Sequence, residues 1–329
     1  MPKVLIGSRE CAQVEDRFAD VLAAAGLDFC YPPTAEVNQL TEAELIDTLH
    51  GVVATVAGSE PYTPRVFAAH PQLKVIARVG VGYDAVHLPA ATASGVCVTI
   101  APNTNHGSVA EHTFALMLGF TRHLPVRHAT IAAGGWPRHM SQPLRGRTLG
   151  LAGLGRIGKA VAVRAAAFEM KVIAFDPLLD AGFCGTHGIT TVPFDHLLAA
   201  SDFLSLHLPL TPETRHTMNR DTLAKMEPGA VLVNTSRGGL VREVDLIEAL
   251  RGSTLAGAAL DVFEQEPLPV DSPLRAMPNV VLTPHAAGVD IQSLGDMARS
   301  AAEAVAALKR GDWPAEKVVN AEVRGVFQW

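Results

Sequence analysis

Short apolar runs alternate along the chain with stretches whose apolar residues recur at helical spacing. In the first third, residues 3–7, 27–31, 52–56, 73–77 and 96–100 predict five strands. Helical patterns lie between them: residues 14–25 stopped by Gly26, a segment opened by the capping box Thr41/Glu44 and closed at Gly51, residues 63–69 before Pro71, and residues 88–94. Further on, residues 149–152, 172–175, 189–192, 203–207, 230–234, 255–260 and 280–283 predict a second unit of six or seven strands, with helices such as 221–226 and 243–251 between them. Strand–helix alternation of this kind predicts parallel sheets with helices on both faces. A long helix opens at Ser108, where Ser108 and Glu111 form a second capping-box pattern. Residues 124–147, with Gly134-Gly135-Trp136-Pro137, read as an irregular excursion, and an amphipathic helix over 293–309 precedes a tail ending in Val318-Val319-Asn320.

The sharpest local pattern sits mid-chain. The run 149–152 leads into Gly153-Leu154-Gly155-Arg156-Ile157-Gly158, a helical pattern follows, and the run 172–175 ends on Asp176, 18 residues after the last glycine. Strand, G-x-G-x-x-G, helix, strand and acid together predict a dinucleotide site. Gly153 permits the tight turn, Gly155 lets the backbone approach a pyrophosphate, and Gly158 lets helix pack on strand. The pyrophosphate meets free N–H groups at the positive end of the helix dipole. Asp176 is placed to accept hydrogen bonds from a ribose diol.

Length and composition narrow the class. At about 100–200 residues per domain, the 329-residue chain predicts two domains, and 48% hydrophobic with 18% charged residues is a globular composition. A formal net charge of −6 gives no general attraction for nucleic acid or anionic membranes. Cys11, Cys30, Cys97 and Cys184 are scattered without a C-x-x-C pair, so neither a disulfide framework nor a metal site is predicted. The N-terminus reads directly as a strand, without a signal sequence, and no run is long enough to span a membrane. The expected location is the cytoplasm.

In a doubly wound sheet, reacting groups are expected in loops just after the strands. Three candidates occupy such places: Arg237 in Asn234-Thr235-Ser236-Arg237-Gly238-Gly239, Glu266 in Asp261-Val262-Phe263-Glu264-Gln265-Glu266-Pro267, and His285 in Thr283-Pro284-His285. An arginine, a carboxylate and an imidazole are what oxidation of a 2-hydroxy acid requires. The imidazole takes the hydroxyl proton, or returns it to the ketone oxygen in reduction. The carboxylate fixes its tautomer, and the guanidinium clamps the substrate carboxylate.

With these motifs, and with Gly80-Val81-Gly82-Tyr83-Asp84 and Ser108-Val109-Ala110-Glu111-His112-Thr113, the sequence resembles the D-isomer-specific 2-hydroxyacid dehydrogenase family over nearly its whole length. This family contains D-lactate, glyoxylate/hydroxypyruvate and D-3-phosphoglycerate dehydrogenases. The resemblance implies an α/β protein of two doubly wound parallel-sheet domains. A Rossmann NAD-binding domain (residues 101–287) is inserted in a flavodoxin-like substrate domain (1–100 and 288–329). It implies Arg237 as substrate binder, Glu266 as the partner acid and His285 as acid/base. Cofactor contacts are implied for Gly153, Gly155, Arg156, Ile157 and Gly158 at the pyrophosphate, and for Asp176 at the adenosine ribose. Leu208 is implied on the adenine side, Thr235 and Ser236 near the nicotinamide, and Asp261 at its carboxamide. Arg237, His285 and Gly288 complete the implied cofactor set. The backbone of Val79, Gly80 and Val81 is implied to cradle the substrate carboxylate. The helix from Ser108 and the 124–147 excursion are implied to build a homodimer interface.

The chain departs from the family pattern at Ala286, where a larger aliphatic residue is usual, and at Ala85 and His87, which replace Asn and Asp. Glu264 competes with Glu266; the acid before Pro267 matches the family, which leaves Glu264 as a solvated side chain. His112 is read as structural, and His216 as one of several surface or helix histidines. His106, in the loop before Ser108, is open between loop filler and substrate contact. The expected activity is that of an NAD-dependent oxidoreductase acting on a D-2-hydroxy acid or its 2-keto acid, of phosphoglycerate or hydroxypyruvate/glyoxylate type. The alternative is an NAD(H)-sensing, corepressor-like binding protein on the same scaffold. No arginine follows Asp176 to pair a 2′-phosphate, and a carboxylate there repels one. Steady-state kinetics with both cofactors should therefore give a higher kcat/KM for NADH than for NADPH; equal or better use of NADPH would contradict the assignment of Asp176.

Overall fold

The computed structural model describes residues 1–33, 40–136, 138 and 140–329. It divides into two compact units, residues 1–105 with 289–329, and residues 106–288. Each is a doubly wound α/β domain built on a parallel sheet.

In the first unit the sheet has the order β2-β1-β3-β4-β5, formed by β1 (Lys3–Ile6), β2 (Asp28–Cys30), β3 (Val52–Ala57), β4 (Val75–Arg78) and β5 (Cys97–Thr99). All five strands were legible as apolar runs because the sheet is covered on both faces. Val4 and Ile6 of β1 enter one core, under the long helix Ile291–Arg310. Leu5 enters the other, under helices Glu42–Thr48, Pro64–Ala69 and Leu88–Ala93. The chain end covers the β5 edge: the buried Asn320 side chain accepts from the Val98 amide at 2.9 Å and donates to the Val96 carbonyl at 2.9 Å.

In the second unit the order is β12-β11-β10-β9-β6-β7-β8. Its strands are β6 (Thr148–Ala152), β7 (Lys171–Phe175), β8 (Thr190–Thr191), β9 (Phe203–Leu206), β10 (Val231–Asn234), β11 (Gly257–Leu260) and β12 (Val280–Leu282). Leu149, Leu151, Val231 and Val233 face the core beneath helices His106–Thr121 and Arg156–Ala167, while Leu204, Leu206 and Leu232 face the opposite core with helices Phe194–Ala200 and Glu243–Arg251. Among the described residues no helix is long and apolar enough to cross a membrane.

Several local expectations are corrected. The helix expected over 14–25 is a 3-10 segment, Arg9–Arg17, followed by the short α-helix Ala19–Ala24. Residues 124–147 are not irregular throughout: Leu124–Ala132 is a helix with Pro125 in its first turn. None of its side chains is buried within the chain. Pro137 of that stretch lies outside the described residues. The Ser108/Glu111 capping box does not form, because the helix begins earlier, at His106, and Ser108 lies inside it. The Ser108 hydroxyl instead donates to the Ala287 carbonyl at 2.8 Å. His106, expected in a loop, is the first residue of that helix.

Candidate active site

The glycine turn follows β6, and its geometry separates the three glycines. Gly153 has φ +100°, and a Cβ there would lie 2.5 Å from the His207 carbonyl oxygen. A Cβ on Gly158 would overlap the Gly153 carbonyl. Both are therefore required by the turn and by helix packing. At Gly155, by contrast, an added Cβ would meet nothing within 4 Å. It faces open space at the first turn of helix Arg156–Ala167, where the dipole favours an anion. Asp176 follows β7, and its carboxylate accepts from the Leu154 amide and from the Leu178 amide, both at 2.7 Å. The acid thus also holds the glycine turn against the end of the next strand. Open space at Gly155, amides at a helix start and an acid at the neighbouring strand end fit a dinucleotide.

No spacing rule points to His207, although its carbonyl closes on Gly153. The residue is half-buried with Nε2 2.9 Å from the Ser205 hydroxyl, and desolvation of the ring pushes its imidazolium pKa down to about 4. A neutral ring is the form that packs here. Leu208 follows, half-buried, in the loop after β9.

Beyond β10 the loop is tightly wound. Thr235 and Ser236 are buried; the Ser236 hydroxyl donates to the Leu206 carbonyl at 3.0 Å, and Thr235 Oγ1 lies 3.2 Å from Thr113 Oγ1. Arg237 donates from one terminal nitrogen to the Ser236 carbonyl at 2.6 Å, and the Asn234 amide donates to the Arg237 carbonyl at 2.9 Å. A Cβ on Gly238 would overlap the backbone of Phe263. The loop carrying Arg237 is therefore pressed directly onto the loop carrying Glu266.

Glu266 and His285 meet. His285 Nδ1 lies 2.6 Å from Glu266 Oε2, and Glu266 Oε1 accepts from the Phe263 amide at 3.0 Å. Glu264 is exposed, as expected of a solvated side chain, but it is also engaged. Its carboxylate takes His216 Nε2 at 2.7 Å and the Glu243 amide at 2.9 Å, which makes His216 a partner in a second histidine–glutamate pair.

His285 sits at φ +54°, a left-handed conformation that costs a residue with a Cβ about 1 kcal/mol or more. What holds it is Asp261, at the end of β11. The Asp261 carbonyl accepts from the His285 amide at 2.7 Å. Its carboxylate, with no exposed surface, accepts from Thr283 Oγ1 at 2.6 Å and from the amides of Ala286 and Ala287 at 2.9 and 2.8 Å. His112, read from sequence as structural, reaches the same cluster, with Nε2 3.0 Å from Thr283 Oγ1 and 3.4 Å from Asp261 Oδ1. The expected carboxamide contact thus involves a carboxylate that is already engaged on both oxygens. Val79, Gly80 and Val81 belong to the first unit, in the loop after β4, where Gly80 adopts φ +146°. Gly288 closes the second unit.

Residues 114–287 match the family model described as D-isomer specific 2-hydroxyacid dehydrogenase, NAD binding domain. The chain belongs to the D-isomer specific 2-hydroxyacid dehydrogenase family. It is 41% identical over 271 residues to a glyoxylate reductase of Korarchaeum cryptofilum, covering 80% of this chain and 81% of that protein. It is 43% identical over 266 residues to a D-3-phosphoglycerate dehydrogenase of Mycobacterium leprae, covering 78% of this chain and 50% of the relative. The chain therefore spans about half the length of that phosphoglycerate dehydrogenase. A solved structure of D-lactate dehydrogenase from Aquifex aeolicus, complexed with NAD and lactic acid, superposes with a TM-score of 0.82 at 28% identity, covering 97% of this chain and 99% of that one. The second unit is thus an NAD-binding domain.

Burial alone would push the Asp261 carboxyl up. Hydrogen bonds from His112, Thr283 and the Ala286 and Ala287 amides together outweigh it and hold the group at about 2. A folded value below the unfolded one stabilises the native state fully above about pH 4, and that stability is lost as pH falls toward the folded value. Asp261→Asn should accordingly be less stable than the parent at neutral pH by about 2 kcal/mol. Urea unfolding at a series of pH values should show the gap closing between about pH 4 and pH 2; a gap independent of pH would remove Asp261 from this role.

Proposed function

We propose that the protein is an NAD-dependent dehydrogenase interconverting a D-2-hydroxy acid and its 2-keto acid, with His285 as acid/base, Glu266 as its orienting partner and Arg237 as the substrate-carboxylate ligand. The observation that carries the reading is the His285–Glu266 pair, held at 2.6 Å on two loops of the unit that also carries the glycine turn. NAD, when bound, supplies the hydride acceptor. The chain's own groups manage the proton and the charge.

Glu266 engages Nδ1 of the imidazole, which leaves Nε2 as the atom that exchanges a proton with the substrate oxygen. The orientation of Glu266 is itself set by the Phe263 amide on its other oxygen. Arg237 supplies a delocalised cation suited to bidentate binding of a carboxylate and to polarising the neighbouring carbonyl. The Val79–Val81 backbone provides further contacts to the carboxylate. Arg156, Ile157 and the three glycines bind the pyrophosphate, Asp176 the adenosine ribose, and Leu208 the adenine. Thr235, Ser236, Asp261 and Gly288 line the nicotinamide side. The glyoxylate reductase and D-3-phosphoglycerate dehydrogenase among its relatives favour a substrate of the glyoxylate, hydroxypyruvate or phosphohydroxypyruvate class.

The same reading makes the protein a cytoplasmic homodimer. In its support, all four cysteines are thiols, and helix Leu124–Ala132 leaves Leu124 and Ile131, two turns apart on one face, more than half exposed, as expected at a subunit interface.

The test is NADH consumption with glyoxylate, hydroxypyruvate, pyruvate and phosphohydroxypyruvate. At least one should turn over. His285→Gln should lower kcat by roughly 10²–10⁴ with NADH affinity retained, and Glu266→Gln by roughly tenfold or more through loss of the imidazole's orientation. No turnover of any acid alongside intact NADH binding would overturn the reading in favour of a cofactor sensor, and a small effect of His285→Gln would place the acid/base elsewhere.

A further inference from the structure

His216, Glu243 and Glu264 form a cluster that the mechanism above does not use. All three lie in the second unit, as do Glu266 and His285. Glu264 is the centre of the cluster. Its carboxylate takes His216 Nε2 at 2.7 Å on one oxygen and the Glu243 amide at 2.9 Å on the other. The Glu264 amide in turn donates to Glu243 Oε1 at 2.5 Å. Residues 243 and 264 thus exchange amide and carboxylate in both directions, and the imidazole joins them from a third segment. A carboxylate only accepts, so His216 Nε2 carries the hydrogen.

An exposed ion pair by itself contributes little, and the His216 and Glu264 side chains are 35% and 33% exposed. The weight of this one lies in what its ends are fixed to. His216 adopts φ +53°, a left-handed conformation that persists only where the surroundings over-determine it. Its amide donates to the Gly239 carbonyl at 2.8 Å, and its carbonyl accepts from the Asn219 side-chain amide at 2.9 Å. Gly239 lies in the loop after β10, two residues beyond Arg237, and Glu243 opens helix Glu243–Arg251. The loop after β11 is therefore anchored, at Glu264, to the segment that follows β10. The next residue back, Phe263, packs its backbone where a Cβ on Gly238 would stand. Its amide holds Glu266 Oε1 at 3.0 Å, and Glu266 Oε2 meets His285 Nδ1 at 2.6 Å. The anchored residue is bonded directly to the one whose amide orients Glu266.

We infer that Glu264 is a positioning residue for the acid/base pair: by clasping His216 and Glu243 it fixes Phe263, whose amide aims Glu266 at Nδ1 of His285. This rests on the proposed roles of His285 and Glu266. Glu264 acts through Phe263 and not on the reacting atoms. Its loss lets Glu266 swing, and the His285 ring is then free to carry its proton on either nitrogen. A histidine base held in the wrong tautomer loses turnover while binding survives.

The experiment uses the full NADH-loaded chain, labelled with nitrogen-15 at histidine, with the His285 signals assigned by their disappearance in His285→Gln. The variants are Glu264→Ala, His216→Ala and the conservative Glu264→Gln. With the ring neutral, the parent should carry the His285 proton on Nδ1 alone, and both alanine variants should populate both tautomers. Exchange of the Phe263 amide should quicken by about tenfold or more. The kcat for the best keto acid should fall about tenfold, with KM and NADH affinity changed less than about threefold. Glu264→Gln keeps an acceptor oxygen and should lie between Glu264→Ala and the parent. A parental His285 tautomer in the folded alanine variants overturns the inference, however much stability they lose. A loss of NADH affinity as large as the loss of kcat overturns it too. If Glu264→Ala does not fold, His216→Ala decides by the same measurements. If the parent turns over no keto acid, the dehydrogenase reading fails, and the tautomer and the exchange rate decide the positioning claim on their own.

Discussion

The Asp261 carboxylate collects Thr283 Oγ1 and the amides of Ala286 and Ala287, while its carbonyl collects the amide of His285. Four bonds from one residue thus pin the loop after β12 to the end of β11. The Ala287 carbonyl takes the Ser108 hydroxyl, which adds helix His106–Thr121 to the same assembly. In the proposed reaction the imidazole meets a substrate oxygen within hydrogen-bond distance and tolerates little slack, since misplacement by about an ångström costs about 10² in rate. The left-handed backbone at His285 is not a conformation the chain chooses locally. It persists because its surroundings over-determine it.

Elsewhere in the second unit the constraint is steric. Gly158 lies against the Gly153 carbonyl, and Gly238 lies against the backbone of Phe263. In both places backbone packs on backbone with no side chain between. Contacts of that kind have no rotamers to relax into, so the loops carrying Arg237 and Glu266 share one position. Parallel strands bring every such loop to the same edge of the sheet. The packing then decides how those loops fit together.

That edge was legible in the sequence because its central strands are buried on both faces and read as apolar runs. Among the described residues every strand overlaps an expected one, with ends differing by no more than two residues. Helix Leu124–Ala132 was missed because Pro125 stands at its start and the glycines after it dominated the pattern. Ser108 and Glu111 have the right spacing for a capping box. The serine is used instead by Ala287, far along the chain. The engagement of Asp261 has the same character, since it depends on Thr283 and Ala286 at separations where no local periodicity operates.

Glu264 and Glu266 show how the fold separates two acids that sequence can barely tell apart. They stand two positions apart on one loop, and each has a histidine for a partner. The difference lies in the backbone groups that hold them. Glu264 is tied to the Glu243 amide at the start of helix Glu243–Arg251, where the helix dipole favours a carboxylate. Glu266 is tied to Phe263 within its own loop and turns toward the loop after β12. Glu243 completes the cluster: burial raises its carboxyl pKa, the Glu264 amide offsets part of that rise, and the Glu264 and Glu266 charges add to it. In the proposed reaction, Glu266 is the carboxylate that faces the imidazole of His285 through Nδ1. That carboxylate is itself oriented by the Phe263 amide, so on this reading the backbone decides which ring nitrogen is left for the substrate.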